Sequence, residues 1–428
     1  MLPNQSTFLG LLIVALVLGG LAIRVPALLL LALPVLVFWL FGLLQSTDQT
    51  PPHIKVKRTL SASRVLDGDF VQVKLEVFNH GPKTAQLWIE DGLPPQLEVI
   101  DGEAACLRVG AAPQTTILTY TIAAPRGVHR WQQVRVRSQQ PLSASCNHAF
   151  FPCASTLWSL PRTESANALL LAPRRTRVYA GVIHARRGGQ GLEFFDTREY
   201  VPGDEVRRIH WNATARTGKW ITTQYEQERI ADVALVLDAR HKSTVDYAHL
   251  GPKSTHALFE YSVRACASLA QLMLARGNRV GLLSYGKTLD WTLPGFGNLQ
   301  RERILQALAR TTPGRKVVFE GLEHLPKRLF PLHSQVVLVS PLLQQDVPVL
   351  VRLQAHGFHL TVISPDPVGF EAALLPFNPL LQAALRLARL DRNRSLQALR
   401  RGHVVVLDWD TKNPLNPQLL RSLAWIKR

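Results

Sequence analysis

Gly281-Leu282-Leu283-Ser284-Tyr285-Gly286-Lys287-Thr288 fits the pattern G-x-x-x-x-G-K-[ST], in which backbone amides and a lysine cradle phosphates. Upstream, VALVLD (Val233–Asp238) has the form of the strand and aspartate that would hold magnesium beside such a loop. That chemistry needs a strand before the first glycine and a helix opening at the lysine, so that the helix N-terminus faces phosphate. Here Gly281 lies inside an apolar run, and LDWTLPGFGN (Leu289–Asn298) cannot continue as a helix. A hairpin with Gly286 in its turn is expected instead; a nucleotide-dependent enzyme and a basic nucleic-acid-binding protein are the alternatives. H-E-x-x-H, G-x-S-x-G and a G-x-G-x-x-G following a strand do not occur. His210, His241, His356, His359 and His403 are scattered, and Cys106, Cys146, Cys153 and Cys266 have neither zinc-ligand spacing nor the density of a disulfide scaffold. The chain is expected to carry no catalytic residue, no metal and no cofactor.

A second stretch, Arg186–Arg216 (RRGGQGLEFFDTREYVPGDEVRRIHWNATAR), mixes glycines, a Pro202-Gly203 turn, acids, bases and aromatic rings. It reads as a long ordered loop rather than a regular element. Such loops are either structural clasps or binding sites. In the clasp reading Asp204, Arg207 and Arg208 satisfy backbone groups while Trp211 plugs the sheet. The segment is bounded at 171–230.

The elements that must position these residues follow from patterning. The chain has 428 residues, 49 Lys plus Arg against 31 Asp plus Glu, and a formal net charge of +18, with 46 % hydrophobic residues. That is too apolar for a disordered chain. Phe8–Ile23 and Ala27–Leu44 carry no charge and read as a transmembrane helical hairpin over 8–44, turning at Arg24-Val25-Pro26. The cations after it (Lys55, Lys57, Arg58 and Arg64) place the remainder on the cytoplasmic side of an inner membrane. From 53 to 161, period-two runs such as FVQVKLEVFN (Phe70–Asn79) and TTILTYTI (Thr115–Ile122), separated by turn dipeptides, predict a β-sandwich. From 231 to 410, apolar strands alternate with helices. The strands are Val233–Asp238, Arg279–Tyr285, Gln335–Ser340, His359–Ser364 and His403–Asp408. This predicts a doubly wound parallel α/β sheet, whose ligands sit at the carboxyl ends of its strands. Residues 415–428 read as an amphipathic helix.

The string R-E-Y-x-P-G-D-x-x-R-x-I-x-W, formed by Arg198, Glu199, Tyr200, Pro202, Gly203, Asp204, Arg207, Ile209 and Trp211, resembles the signature of a bacterial family known as domain of unknown function 58. The preceding G-x-G-L-E-F (Gly189–Phe194) is similar too. The resemblance implies a membrane-anchored protein with a von Willebrand factor A-like domain, working beside a MoxR-type AAA+ ATPase as a non-enzymatic interaction or assembly factor. Metal-binding domains of that type use D-x-S-x-S after the first strand, oxygen ligands suited to a hard cation. Here the stretch is Asp238-Ala239-Arg240-His241-Lys242, with cations at both serine positions, and the later strand end reads Ser340-Pro341. No metal is expected there. Asp238, Arg240, Lys242 and Ser340 are instead expected to form a cation-lined edge that captures an acidic protein partner by charge-assisted hydrogen bonds. The arginines of Leu385–Arg401 are assigned to anionic lipid rather than nucleic acid, because no aromatic stacking set accompanies them.

Overall fold

The computed structural model describes residues 5–24, 26–45, 54–79, 86–108, 114–139, 147–164, 177–230, 232–240, 257–314, 320–330, 334–375, 378–415 and 417. The chain divides into two compact units, Met1–Leu160 and Pro161–Arg428.

The first unit opens with two helices, α1 (Gln5–Ile23) and α2 (Pro26–Gln45). Among the described residues, no helix is long and apolar enough to cross a membrane. The transmembrane hairpin expected from the two uncharged runs is therefore corrected, and with it the fold class built on a membrane anchor. The physical reason lies in the helix ends. α1 spends its first turn on Gln5, Ser6 and Thr7, and α2 ends on Gln45. The uncharged apolar runs inside them are 16 and 18 residues long, about 24 and 27 Å of helix against a hydrocarbon core of about 30 Å.

Among the described residues nine strands follow: β1 (Ile54–Leu60), β2 (Arg64–Leu66), β3 (Asp69–Asn79), β4 (Gln86–Asp91), β5 (Glu98–Gly102), β6 (Ala105–Arg108), β7 (Gln114–Ala124), β8 (Gly127–Gln139) and β9 (Asn147–Leu160). They make two sheets, ordered β1-β3-β7-β5 and β2-β9-β8-β4-β6. The period-two pattern sets the buried face: Val71, Val73, Leu75 and Val77 of β3 point inward, and the residues between them are exposed or half-buried. Leu75, Val77 and Leu118 of one sheet share a core with Ile89, Val134 and Val136 of the other.

A buried ion pair joins the two sheets. Arg58 of β1 donates to both carboxylate oxygens of Asp91 in β4 and to the Cys153 carbonyl in β9. The Tyr120 hydroxyl of β7 donates to Asp91 Oδ2 at 2.7 Å, and the guanidinium lies 5.7 Å from the Trp131 ring centroid. Burial first, and the Asp91 charge second, push the Tyr120 phenol well above its ordinary value.

His129 of β8 is buried, with Nε2 2.8 Å from the Pro125 carbonyl. Burial lowers its pKa below the ordinary 6.5, and the Pro125 hydrogen bond only partly offsets this. The unfolded chain therefore binds the proton more readily than the folded one. Stability is expected to be full at neutral pH and to fall as pH drops through 6.5. Urea midpoints measured from pH 7.5 to 5 should show this slope in the native chain and a flatter one in His129→Gln. Equal slopes would remove His129 as the cause.

The second unit begins with a two-stranded antiparallel ribbon of β10 (Arg177–Glu199) and β11 (Ile221–Ile230). The long loop expected over Arg186–Arg216 is thus corrected in its first half, which is strand. The pairing register shifts between Ala185 and Gly188, and again between Gly189 and Phe194. These bulges break the two-residue period and hid the strand. A 3-10 turn (Val206–Arg208) and the short helix α3 (Trp211–Thr217) cap the ribbon's end.

The α/β part contains β12 (Asp232–Ala239), α4 (Ala257–Ala275), β13 (Arg279–Gly286), β14 (Leu289–Gly295), α5 (Gly297–Arg310), β15 (Gln335–Val339), α6 (Asp346–Ala355), β16 (His359–Pro365), α7 (Pro367–Leu374), α8 (Pro379–Arg401) and β17 (Val405–Trp409). The sheet order is β14-β13-β12-β15-β16-β17. Five strands are parallel, and β14 runs antiparallel to β13 at the edge. The sheet is therefore mixed rather than wholly parallel. Ala234, Val236, Leu283, Val336, Leu338 and Val362 share one core with Leu350 and Leu353 of α6 and Leu396 and Leu399 of α8. α4 packs against β12, β13, β15 and β16. Strands buried on both faces explain their unbroken apolar runs. The amphipathic helix expected at 415–428 lies almost wholly outside the described residues.

Candidate functional site

The carboxyl ends of the parallel strands bring Asp238, Arg240 and Ser340 together, as the sequence expectation requires, but in a different role. Arg240 is only 2 % exposed. Its Nε donates to Asp238 Oδ1 at 2.9 Å and its Nη2 to Asp238 Oδ2 at 2.7 Å. The far edge of the same guanidinium meets Asp346, with Nη1 2.9 Å from Oδ1 and Nη2 2.7 Å from Oδ2. Nη1 also donates to the Glu320 carbonyl at 3.1 Å. The Ser340 hydroxyl donates to Asp238 Oδ2 at 2.6 Å and accepts from the Leu342 amide at 3.1 Å.

The planar five-donor fork of arginine suits two carboxylates at once, which a lysine ammonium could not match. Two carboxylates against one cation leave an excess negative charge. The amides of Arg240 and Leu343 and the Ser340 hydroxyl each donate to these oxygens. Asp346 also stands in the first turn of α6, where the helix dipole favours an anion. Burial alone would lower the Arg240 pKa, but Asp238 and then Asp346 outweigh it and hold the guanidinium charged. Nearby, burial raises the Tyr285 phenol to about 12, and its hydroxyl donates to the Gly321 carbonyl at 2.6 Å.

The expectation that Arg240 presents free charge at this edge is corrected. Its positive charge is spent on the chain's own carboxylates. Sequence reading identified Asp238, Arg240 and Ser340 but missed Asp346, which has no local motif and lies 106 residues from Arg240. Lys242 lies outside the described residues. Among the described residues, no group of three or more His, Cys, Asp or Glu is placed to hold a metal.

A second arginine closes the other side of the edge. Arg392 of α8 donates to the carbonyls of Pro341 at 3.0 Å and Ser364 at 3.1 Å, and pairs with Asp366 at 3.3 Å and with Asp408. It ties the ends of β15, β16 and β17 together, so this one arginine of the Leu385–Arg401 run is turned to the strand ends. Where such sheets bind ligands, this one is filled by its own side chains.

The Gly281–Thr288 stretch forms the hairpin expected of it: Tyr285 pairs with Leu289, and no helix opens at Lys287. Gly286 has a tighter constraint than a turn. A Cβ there would lie 2.2 Å from the Ala239 carbonyl oxygen, so the glycine lets β13 approach the end of β12.

The signature residues gather at the ribbon's end. Arg198 pairs with Asp204 at 2.6 Å, and Asp204 Oδ2 accepts from the Val201 amide at 3.0 Å. The Arg198 hydrogen bond, and then the Val201 amide, hold the Asp204 carboxyl below its usual range. Lys219 pairs with Glu199 at 2.6 Å. Ile209 is buried and bridges to Thr222. His210 caps α3 by accepting the Ala213 amide at Nδ1. Pro202 and Gly203 form the turn, and Gly203 takes a φ of 111° that favours glycine. These pairs hold the turn together at or near the surface. The segment's rings face outward: Trp211 is 62 % and Trp220 56 % exposed. Their centroids are 6.3 Å apart, and Tyr200 lies 5.9 Å from Trp220. The expectation that Trp211 plugs the sheet is corrected. Arg207 is exposed on the same segment.

Comparison with known proteins follows the same segment. The chain is 26 % identical over 321 residues to "Uncharacterized protein YeaD" of Bacillus subtilis, covering 72 % of this chain and 76 % of that one. It is 28 % identical over 134 residues to an uncharacterized protein of Mycobacterium tuberculosis, covering 30 % and 40 %. Among solved structures, the cupredoxin domain of amoB from Nitrosocaldus yellowstonii aligns with 26 % of the chain and 88 % of its own, at 13 % identity and a TM-score of 0.20, too low to carry an argument. Residues 196–368, which span the signature segment, Arg240, Ser340 and Asp346, match the family described as "Protein of unknown function DUF58".

Proposed function

We propose that this chain is a non-catalytic protein-docking module, in which a von Willebrand factor A-like α/β domain serves as the scaffold and the signature segment as the docking face. The observation that carries the reading is the pairing of Arg240 with Asp238 and Asp346, which commits the polar groups of the strand ends to each other. Docking then falls to the exposed rings of Trp211 and Trp220, with the half-buried Tyr200 against Trp220 and Arg207 nearby in sequence. Tryptophan, tyrosine and arginine are the residue types that carry most binding energy when an interface closes over them. A partner with an apolar surface and accompanying carboxylates fits this face. A MoxR-type AAA+ ATPase is the partner proposed, on the strength of the family resemblance.

Crosslinked capture from the source cells, with the full chain as bait, tests this. An AAA+ ATPase should appear among the adducts. The Trp211→Ala/Trp220→Ala variant, altered only at exposed positions, should recover about tenfold less of it, the loss of one or two anchor residues. Equal recovery by the variant would move docking elsewhere.

A further inference from the structure

We infer that the outer face of α8 is a second docking surface, made for an acidic amphipathic helix of a partner protein. At about 100° per residue, Leu385, Arg392, Leu396 and Leu399 point inward. All three leucines are buried, and Arg392 is held at the strand ends. Leu380, Ala383, Leu387 and Leu390 lie about half a turn away, and the three leucines are 81 %, 61 % and 57 % exposed. Their spacing of three and four residues is that of a heptad seam. α8 thus has two apolar stripes, one covered by its own sheet and one bare.

Charge and shape choose the occupant. α8 carries six arginines, Arg386, Arg389, Arg392, Arg394, Arg400 and Arg401, against one acid, Asp391. With Arg392 internal, Arg386 borders the bare stripe on one side and Asp391 on the other, while Arg394, paired with Asp391, and Arg401 extend it, so that the stripe is net basic. A second copy would set arginine against arginine. The chain's own closing segment, QLLRSLAWIKR (Gln418–Arg428), is also basic. The stripe is narrow, and the small Ala383 within it lets another helix approach closely. It also lacks the tryptophan, tyrosine and phenylalanine that anchor a helix at a lipid interface. A partner helix with leucines at heptad spacing and flanking glutamates meets both the seam and the charge.

The face is separate from the signature segment, so its test does not depend on that reading. The probe is a fluorescently labelled helical peptide with leucine at a and d and glutamate at e and g, titrated with the full chain by anisotropy. Saturable binding is expected, weakened about tenfold or more in Leu380→Ser/Leu387→Ser/Leu390→Ser. The same peptide with lysine replacing glutamate should not bind. Absence of binding, or equal binding by the triple variant, would overturn the inference. So would vesicles of phosphatidylcholine and phosphatidylserine (three to one) that bind the native chain and not the variant, since the occupant would then be lipid. Sedimentation showing a dimer abolished by the triple substitution would overturn it in favour of self-association. The triple variant should keep the native circular dichroism spectrum. If it unfolds, Arg386→Gln/Arg394→Gln replaces it with the same expected loss.

Discussion

Replacing Arg240 with methionine is expected to cost the α/β unit about 3–5 kcal/mol, the usual price of leaving a buried ion network without its counter-charge. The side chains of Asp238 and Asp346 are fully buried. Without the guanidinium they keep only the Ser340 hydroxyl, backbone donors and each other's repulsion. Domains are stable by roughly 5–15 kcal/mol in total, so the variant should unfold at a markedly lower urea midpoint. Adding Asp238→Asn and Asp346→Asn should recover part of the loss, because the unpaired charges go with the cation. A lysine at 240 should rescue only partly, since one ammonium cannot bridge both carboxylates with paired bonds.

The second large effect belongs to the sandwich. Asp91→Ala removes the acceptor shared by Arg58 and the Tyr120 hydroxyl, and leaves the buried guanidinium with the Cys153 carbonyl. A loss of about 3–5 kcal/mol is expected, with the Met1–Leu160 unit unfolding first. Replacing the pair together, as Arg58→Met/Asp91→Leu, should cost less than Asp91→Ala alone, because neither charge is then stranded. If the double variant is the weaker of the two, the tie between sheets contributes net stability rather than merely avoiding an unpaired charge. Both outcomes are read from guanidinium denaturation followed by near-ultraviolet circular dichroism, to which Trp131 beside Arg58 contributes.

Much of the fold was legible because burial imposes simple patterns. VALVLD, QVVLVS and HLTVIS are mostly apolar, without the alternation of a one-sided strand, since helices cover both faces of their sheet, and each run is a strand. FVQVKLEVFN alternates since only one face is covered. The pattern failed where geometry departs from its period. Register shifts around Gly188, Gly189 and Phe194 disguised β10 as a loop. α8 runs unbroken from Pro379 to Arg401, because Asp391, Arg392, Asn393 and Arg394 continue the turn without a breaker. α7 opens on Pro367, whose fixed φ suits the first turn of a helix, behind the Asp366 cap. The uncharged runs near the start of the chain read as spans, although absence of charge is not the same as sufficient apolar length.

At the strand ends, residue type was legible and role was not. A cation following Asp238 can face solvent or fold back on a carboxylate, and local sequence does not distinguish these. The choice is made by Asp346, delivered by the strand order that puts β15 beside β12. That juxtaposition is long-range and leaves no motif. The outward rings of the signature segment were missed for a related reason: Trp211 sits on a helix of only seven residues, too short to show which side is covered.

The central claim is that Arg240 is the built-in cation of the strand ends. Thermal unfolding with and without millimolar Mn²⁺ tests it most directly. The native chain should show the same Tm in both conditions, while Arg240→Ala, whose carboxylates and Ser340 hydroxyl are then free as hard oxygen ligands, should gain several degrees from the metal. A metal-dependent rise in the native chain that disappears in Asp238→Asn, with no response in Arg240→Ala, would contradict the claim.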